Sequence, residues 1–174
     1  MPRVVIRTLI ILSITQTLDW AFLYYAFALW APRILQDTGW SDSIVFGGFS
    51  IALLSSGFIA PLAGRMVDRH GGRQVMGLGT LIGASGLGLL AISHQPALYL
   101  SAFGLIGIGM AGALYDPAFA TLTQVAGIHA RRAISTLTLA GGFASTLSWP
   151  LTLLLFDWYD WRMIALIYAA ILMV

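Results

Sequence analysis

The sequence predicts an all-α polytopic membrane protein, and three observations lead to that class. The chain is 59% hydrophobic and 9% charged, whereas about a quarter of the residues in a soluble domain are charged. Apolar runs of roughly 20 residues recur along it, the length that a helix needs to cross about 30 Å of hydrocarbon. The charged side chains, nine Arg and seven Asp, fall almost entirely between these runs.

Six spans are predicted, separated by short polar connections. The first carries Asp19 near its middle, the fourth contains Asp116-Pro117 near its far end, and the fifth is interrupted by Trp149-Pro150. The sixth covers only about 21 Å, too little to cross the membrane, so we expect it to be truncated. The predicted bounds are 8–30, 44–63, 74–93, 97–123, 135–156 and 161–174, within one domain over 1–174.

Arginines mark one side of the predicted bundle. Counted over alternate connections, seven arginines share the side of the N-terminus and two lie on the other. Positive residues concentrate in short cytoplasmic connections, so the N-terminus is predicted to be cytoplasmic in a multi-pass protein of the cell (inner) membrane. The seven are Arg3, Arg7, Arg65, Arg69, Arg73, Arg131 and Arg132, and the two are Arg33 and Arg162.

Several classes of chemistry have no residues to support them. The chain has no cysteine, its three histidines fall in connections without ligand spacing, and no catalytic triad or phosphate-binding glycine loop is visible. No basic stripe with interleaved aromatics points to nucleic acid. We therefore predict neither an enzyme nor a metal site, a cofactor or a nucleic-acid partner. The glycines of the third and fourth spans are predicted to let those helices approach closely.

A faint internal repeat relates the first three spans to the last three. Gly47-Gly48-Phe49-Ser50 in the second span is matched by Gly141-Gly142-Phe143-Ala144 in the fifth. Asp19 in the first span is matched by Asp116 in the fourth. Because each unit holds an odd number of spans, the two units would be inverted in the membrane.

The connection after the second span carries a ten-residue motif. Its residues follow the pattern Gly-x-x-x-Asp-Arg-x-Gly-x-Arg, with Gly64, Asp68, Arg69, Gly71 and Arg73 at the named positions. The motif resembles the signature loop between the second and third spans of the major facilitator superfamily of transporters. The resemblance extends over all 174 residues, which look like the N-terminal half of such a transporter.

Two details refine this resemblance. The run Ala31–Ser41, with Pro32 and the triplet Gly39-Trp40-Ser41, resembles the first outer loop of the monocarboxylate and oxalate/formate antiporter branch. In the signature, Gly72 stands where the superfamily usually has a basic residue. The resemblance implies a six-helix N-terminal bundle of two inverted three-helix repeats.

The resemblance also implies a role for the signature. Asp68 and Arg69 would close the inner side by contacting the other half and a carboxylate near the end of the fourth span, a place that Asp116 is predicted to hold. The alternative is a connection that only anchors topology, with its arginines on lipid phosphates.

In the superfamily the first and fourth spans line the central cavity. This makes Asp19, Gln16, Tyr24 and Tyr115 the candidates for substrate contact or proton coupling. A carboxylate at mid-span costs about 2.5–3.5 kcal/mol on insertion scales, so Asp19 is expected to face the protein interior or water.

Structural alternatives stay open for two of these candidates. Asp19 could be capped by hydroxyls of the fifth span, such as Thr138 or Ser145, and serve packing alone. Tyr24, with Tyr25 and Trp30, could belong to an aromatic belt at the outer membrane interface.

The predicted function is secondary active transport of a small solute by alternating access, coupled to protons or to another solute. An organic anion such as a monocarboxylate is one option for the solute. The expected partners are that solute, the lipid bilayer, and a C-terminal six-helix half or a second copy of the chain. The rival is a non-transporting membrane subunit, or an inactive transporter fragment, built on the same bundle.

Overall fold

The structure is a computed structural model that describes residues 1–174, and all of its regular structure is helical. A π-helical turn, Trp20–Tyr25, joins the first two α-helices, and a 3₁₀ turn, Gly127–His129, joins the sixth and seventh. The α-helices are α1 Arg3–Asp19, α2 Phe27–Thr38, α3 Asp42–His70, α4 Gly72–Ala91, α5 Pro96–Ala113, α6 Tyr115–Ala126, α7 Ala130–Gly142, α8 Ala144–Phe156 and α9 Trp161–Leu172.

The helices group into the six predicted spans. Four continuous helical stretches are long and apolar enough to cross a membrane, namely Arg3–Thr38, Asp42–His70, Gly72–Ala91 and Pro96–Phe156. The last holds 61 residues, which would reach about 92 Å if straight. It folds back at the 3₁₀ turn, so that α7 packs against α6, and it supplies spans four (α5 and α6) and five (α7 and α8). The predicted all-α membrane bundle is confirmed.

The second span runs further than predicted. The predicted span covers residues 44–63 and is closed by Pro61, whereas α3 continues to His70. Pro61 removes one backbone hydrogen bond but does not end a helix of this length. Most of the signature is therefore the last turns of α3. The chain leaves the helix only at Gly71, whose φ of 82° suits a residue without a side chain.

Part of the packing pattern fits an exchange of the two three-span repeats, although the extensive contact of span three with span four has only a small counterpart between spans six and one. Span two packs against span four, and span five packs against span one. Exchanging the two repeats replaces span two by span five and span four by span one, so the first of these contacts becomes the second. Span three packs against span six, a contact that the exchange leaves in place.

Glycines bring α4 and α5 into backbone contact. A Cβ built on Gly79 would lie 2.7 Å from Gly112 Cα, and one built on Gly109 would lie 2.5 Å from Gly83 Cα. Ordinary contacts of a Cβ are 3.4–4 Å, so these positions accept only glycine without a shift of the helices. The close approach predicted for the glycines of spans three and four is confirmed.

The apolar core is divided unequally between the two ends of the bundle. We call the end of the bundle that holds the N-terminus and Gly64–Arg73 the signature end, and the other the opposite end. The half at the opposite end contains a cluster of 27 buried residues, including Trp30, Tyr99 and Tyr168. The signature half contains a cluster of eight, around Leu12, and a cluster of three, around Val67. Trp30 is a core residue, 2% exposed, so its assignment to an aromatic belt is wrong.

A polar clasp closes the opposite end. Asp37 accepts a hydrogen bond from Trp161 Nε1 at 3.1 Å and pairs with Arg162 at 3.6 Å. Arg162 also donates to the backbone carbonyls of Ala91 and Ser93. The clasp thus ties together the ends of spans one, three and six.

Candidate functional site

Asp19 lies between the two apolar clusters, at the last residue of α1. Its side chain is 1% exposed, and the Thr80 hydroxyl of α4 lies 3.3 Å from both carboxylate oxygens. The single ion pair of the structure is Asp37–Arg162, so no cation contacts Asp19. The hydroxyl beside the carboxylate comes from span three, which corrects the predicted structural alternative of Thr138 or Ser145 in span five.

Span four is broken at the level of Asp19, and Gln16 holds the break. The helix stops at Ala113 and restarts at Tyr115. Pro117 has no backbone N–H, so the Ala113 carbonyl has no donor four residues later in the chain. Gln16 Nε2, completely buried, donates to that carbonyl at 2.5 Å. This contact gives Gln16 a positioning role between spans one and four.

Spans one and five are irregular at the same level. The π-helical turn follows Asp19 directly, and Ser148 Oγ of α8 donates to the Ala21 carbonyl inside it at 2.8 Å. Thr17 Oγ1 donates to the Ser13 carbonyl of its own helix at 2.7 Å and lies 3.3 Å from the Ala140 carbonyl, just before the break between α7 and α8 at Phe143. In spans one and four a side chain of another span thus binds a carbonyl beside the irregular backbone, an arrangement common at functional sites of membrane helices.

A crevice of about 690 Å³ reaches Asp19 from the signature end. It lies between α1, α4 and α6, and the last residue of α9 and the two residues after it form one wall. Its polar lining consists of one carboxylate, one guanidinium and four hydroxyls: Asp19, Arg73, Thr8, Thr15, Thr80 and Thr121.

An aromatic cluster joins spans one and four next to this level. The Trp20 ring lies 5.1 Å from Tyr24, 6.0 Å from Tyr25 and 4.9 Å from Tyr115, centroid to centroid. All four side chains are half-buried, and Trp20 Nε1 has no hydrogen-bond partner in the protein. The structure therefore brings two of the predicted candidates, Tyr24 and Tyr115, together through a residue that was not a candidate.

The signature meets span four through an amide and not through Asp116. Gln124 Nε2 donates to Asp68 Oδ1 at 3.2 Å. Asp116 is exposed at the start of α6, about 12 Å before Gln124 along the helix axis, and it forms no ion pair. The prediction that Asp116 lies beside Asp68 is wrong because the signature contacts the last turns of α6 and not the first.

Helix packing explains why Gly72 stands where the superfamily usually has a basic residue. Gly72 is buried at the start of α4, and a Cβ there would lie 2.8 Å from Thr121 Cβ. A basic side chain at this position would push α4 away from α6. Arg69 and Arg73 make no ion pair, and both are exposed at the signature end. Gly64 lies within α3.

Comparison with known proteins decides the family. The model of the Major Facilitator Superfamily matches residues 9–174. The chain belongs to this superfamily.

Individual curated relatives match shorter parts of this chain. Multidrug resistance protein MdtL of Klebsiella pneumoniae (strain 342) is 34% identical over 111 residues, which cover 64% of this chain and 28% of that protein. Multidrug resistance protein MdtH of Yersinia pestis (strain Pestoides F) is 28% identical over 94 residues, 54% of this chain and 23% of that protein. The match thus spans about a quarter of the length of these relatives. No solved structure gives a significant match.

These relationships describe a multi-pass membrane protein of the Major Facilitator Superfamily. They do not test the monocarboxylate and oxalate/formate branch, which stays a prediction. Within this superfamily bundle, sequence reasoning missed Thr80, Ser148 and Gln124. Each is a common polar residue whose partner lies on another span, so no local signal in the sequence marks it.

Proposed function

We propose that this bundle takes part in secondary active transport of a small solute by alternating access, with Asp19 as the coupling carboxylate. The observation that carries the proposal is a carboxylate at mid-span that has one hydroxyl partner and no cationic partner. An intramembrane acid of this kind costs about 2.5–3.5 kcal/mol on insertion scales, and such residues mark ion and proton pathways. The breaks in spans one, four and five at the same level support it, because transporters bind solutes and ions at discontinuous helices near the midplane.

The solute site of this proposal is the half-buried aromatic cluster of Trp20, Tyr24, Tyr25 and Tyr115. The cluster belongs to spans one and four, which line the central cavity in the superfamily. It would face a second six-helix bundle, either a C-terminal half or a second copy of the chain, in the inner membrane. The rival, a non-transporting subunit, is not favoured, because the relatives are named as multidrug resistance proteins.

The signature supplies a closing contact in this proposal. Asp68 and Gln124 join the ends of spans two and four at the signature end, and the exposed Arg69 and Arg73 are available for a second bundle. A guanidinium binds a carboxylate through two parallel hydrogen bonds, which suits a contact that must form and break in each cycle.

The test uses inside-out membrane vesicles in which respiration builds a pH gradient, followed with a fluorescent weak base. Lactate represents the organic anions and ethidium the substrates suggested by the relatives' names. We expect one of these solutes to collapse part of the gradient with the wild-type chain and to have no effect with Asp19→Asn. Asp157→Asn, an exposed carboxylate in the turn before α9, is the matched control and keeps the response. A loss of activity that only follows a loss of Asp19→Asn protein from the membrane would contradict the coupling role.

A further inference from the structure

Gln16 joins α1 to the break in span four, one turn before Asp19. We propose that its side-chain amide transmits the protonation state of Asp19 to this break and, through the break, to Tyr115 of the aromatic cluster. The inference rests on the proposed function of Asp19 as the coupling carboxylate, and it adds the residue that links proton binding to the solute site.

The orientation of the Gln16 amide follows from its one hydrogen bond. Gln16 Nε2 donates to the Ala113 carbonyl at 2.5 Å. A backbone carbonyl only accepts, so the amide nitrogen must face it and the amide oxygen Oε1 must point elsewhere. Gln16 is completely buried and lies outside the crevice, and its Oε1 has no donor in the protein. Since buried polar atoms nearly always have a partner, this oxygen is an acceptor in need of a donor.

Asp19 becomes a donor for this oxygen when it is protonated. Residues three apart lie side by side on a helix, with Cβ atoms about 5–6 Å apart, so the two side chains are within reach of each other. An ionised carboxylate only accepts and cannot bond to another acceptor, whereas the protonated acid has one O–H to donate. Uptake of one proton from water therefore forms one O–H bond at Asp19 and one donor for Gln16, and no electron is transferred.

The titratable groups around Asp19 do not bond to it or to Gln16. On the surrounding elements they include Tyr24 and Tyr25 of the π-helical turn, Tyr99 of α5, Tyr115 and Asp116 of α6, and Tyr168 of α9, while α8 has none. The hydroxyls of Tyr99, Tyr115 and Tyr168 bond to other residues. The arginines of α1, α4, α7 and α9 lie near the ends of their helices, namely Arg3, Arg7, Arg73, Arg131, Arg132 and Arg162.

The bond from Gln16 to Ala113 reaches the solute site through the backbone of span four. Leu114, which joins α5 to α6, is extended with φ −80° and ψ −158°, and Tyr115 follows it directly. A hydrogen bond from Asp19 to the amide oxygen polarises the amide and strengthens its N–H bond to the Ala113 carbonyl, by about 10–30%. Proton binding thus tightens the break that positions Tyr115, and proton release loosens it.

The first experiment detects the new hydrogen bond by infrared difference spectroscopy of the full chain in lipid vesicles, between acidic and alkaline pH. Asp19→Asn removes, and thereby identifies, the carboxyl stretching band of Asp19. Gln16→Met is similar in volume but has no acceptor, so we expect the band to move to higher wavenumber, as it does when a carboxylic acid loses a hydrogen bond. Gln74→Met, at an exposed glutamine near the start of α4, is the matched control and leaves the band in place.

The second experiment follows the break by fluorine NMR of the chain labelled with fluorotyrosine. Tyr115→Phe identifies the Tyr115 resonance, and an Asp116→Asn background removes the carboxylate next to it. We expect this resonance to shift with pH, and the shift to be lost with Asp19→Asn. Gln16→Met should lose most of the shift while the carboxyl band of Asp19 still titrates.

Gln16→Glu separates transmission from a space-filling role and keeps the test valid if Gln16→Met folds poorly. The introduced carboxyl can donate to Ala113 and accept from Asp19 at the same time only while it is protonated. We therefore expect the part of the Tyr115 shift that depends on Asp19 to return at acidic pH and to be absent at alkaline pH, measured against the double variant with Asp19→Asn. A residue that only fills space would give the same response at both.

Three results would overturn the proposal. The first is a Tyr115 shift that is unchanged in Gln16→Met and Gln16→Glu. The second is a carboxyl band that stays in place in Gln16→Met, as when the amide oxygen accepts from Trp20 Nε1, the unpartnered donor one turn away. The third is no Asp19 carboxyl band at any pH. Neither measurement requires transport, so transport that depends on Asp19, together with either of the first two results, would reject the role of Gln16 and keep the function.

Discussion

The contact between α4 and α5 makes a quantitative prediction about stability. Gly79→Ala places a Cβ 2.7 Å from Gly112 Cα, where an ordinary contact needs at least 3.4 Å. The Gly112 carbonyl carbon is closer still, and backbone cannot rotate away, so the two helices must separate by more than about 0.7 Å, an overpacking that costs about 1–3 kcal/mol. We therefore expect Gly79→Ala to lower the free energy of unfolding by that amount.

Gly88→Ala is the matched control in the same helix. Nothing lies within 4 Å of a Cβ at Gly88, and alanine is favoured over glycine in a helix by about 0.5–1 kcal/mol. The two variants differ by one methyl group each and have the same composition, but they should change stability in opposite directions. Their difference removes errors common to both measurements.

The assay is reversible unfolding of the purified chain in mixed micelles, titrated with a denaturing detergent and followed by circular dichroism and tryptophan fluorescence. Gly79→Ala and Gly109→Ala belong to one helix contact, so their losses should be less than additive when combined. If Gly79→Ala were as stable as Gly88→Ala, the backbone contact between the two helices would not exist in the folded protein.

Two further predictions concern the ends of the bundle. Cysteines introduced at His70 and at Asp37 should react with an impermeant reagent from the cytoplasm and from outside the cell, respectively, because arginines concentrate at the signature end; labelling of His70→Cys in intact cells would reverse the orientation. If the signature is a closing contact, Arg69→Lys should lower the transport rate at matched abundance, because an ammonium cannot replace the two parallel hydrogen bonds of a guanidinium; a harmless Arg69→Lys would leave a topological anchor.

The sequence predicts the spans and the glycine contact well, because both depend on local signals. Apolar length fixes where a helix can cross the membrane, and a small residue at helical spacing marks where another helix can come close. The break in span four was also visible, since Pro117 removes a backbone donor at a known position. The extent of α3 was missed because Pro61 is only a weak stop in a long helix.

The partners across the bundle could not be predicted from the sequence. Thr80 lies 61 residues from Asp19 and Ser148 lies 127 residues from Ala21, and their meeting depends on how each helix is rotated about its axis. The π-helical turn after Asp19 contains neither proline nor glycine, so no local signal marks it. Gln124 in place of Asp116 follows from how far α3 extends beside α6, which hydropathy alone does not determine.

The unequal division of the apolar core predicts which half of the bundle opens locally more often. Local opening is cheapest where few buried apolar contacts must be broken, and the signature half has clusters of eight and three buried residues against one of 27 in the other half. We expect backbone amides of α6 and α7 to exchange with solvent deuterium well before those of α2 and α5. We thus expect the half that carries the clasp to stay folded while the signature half opens locally.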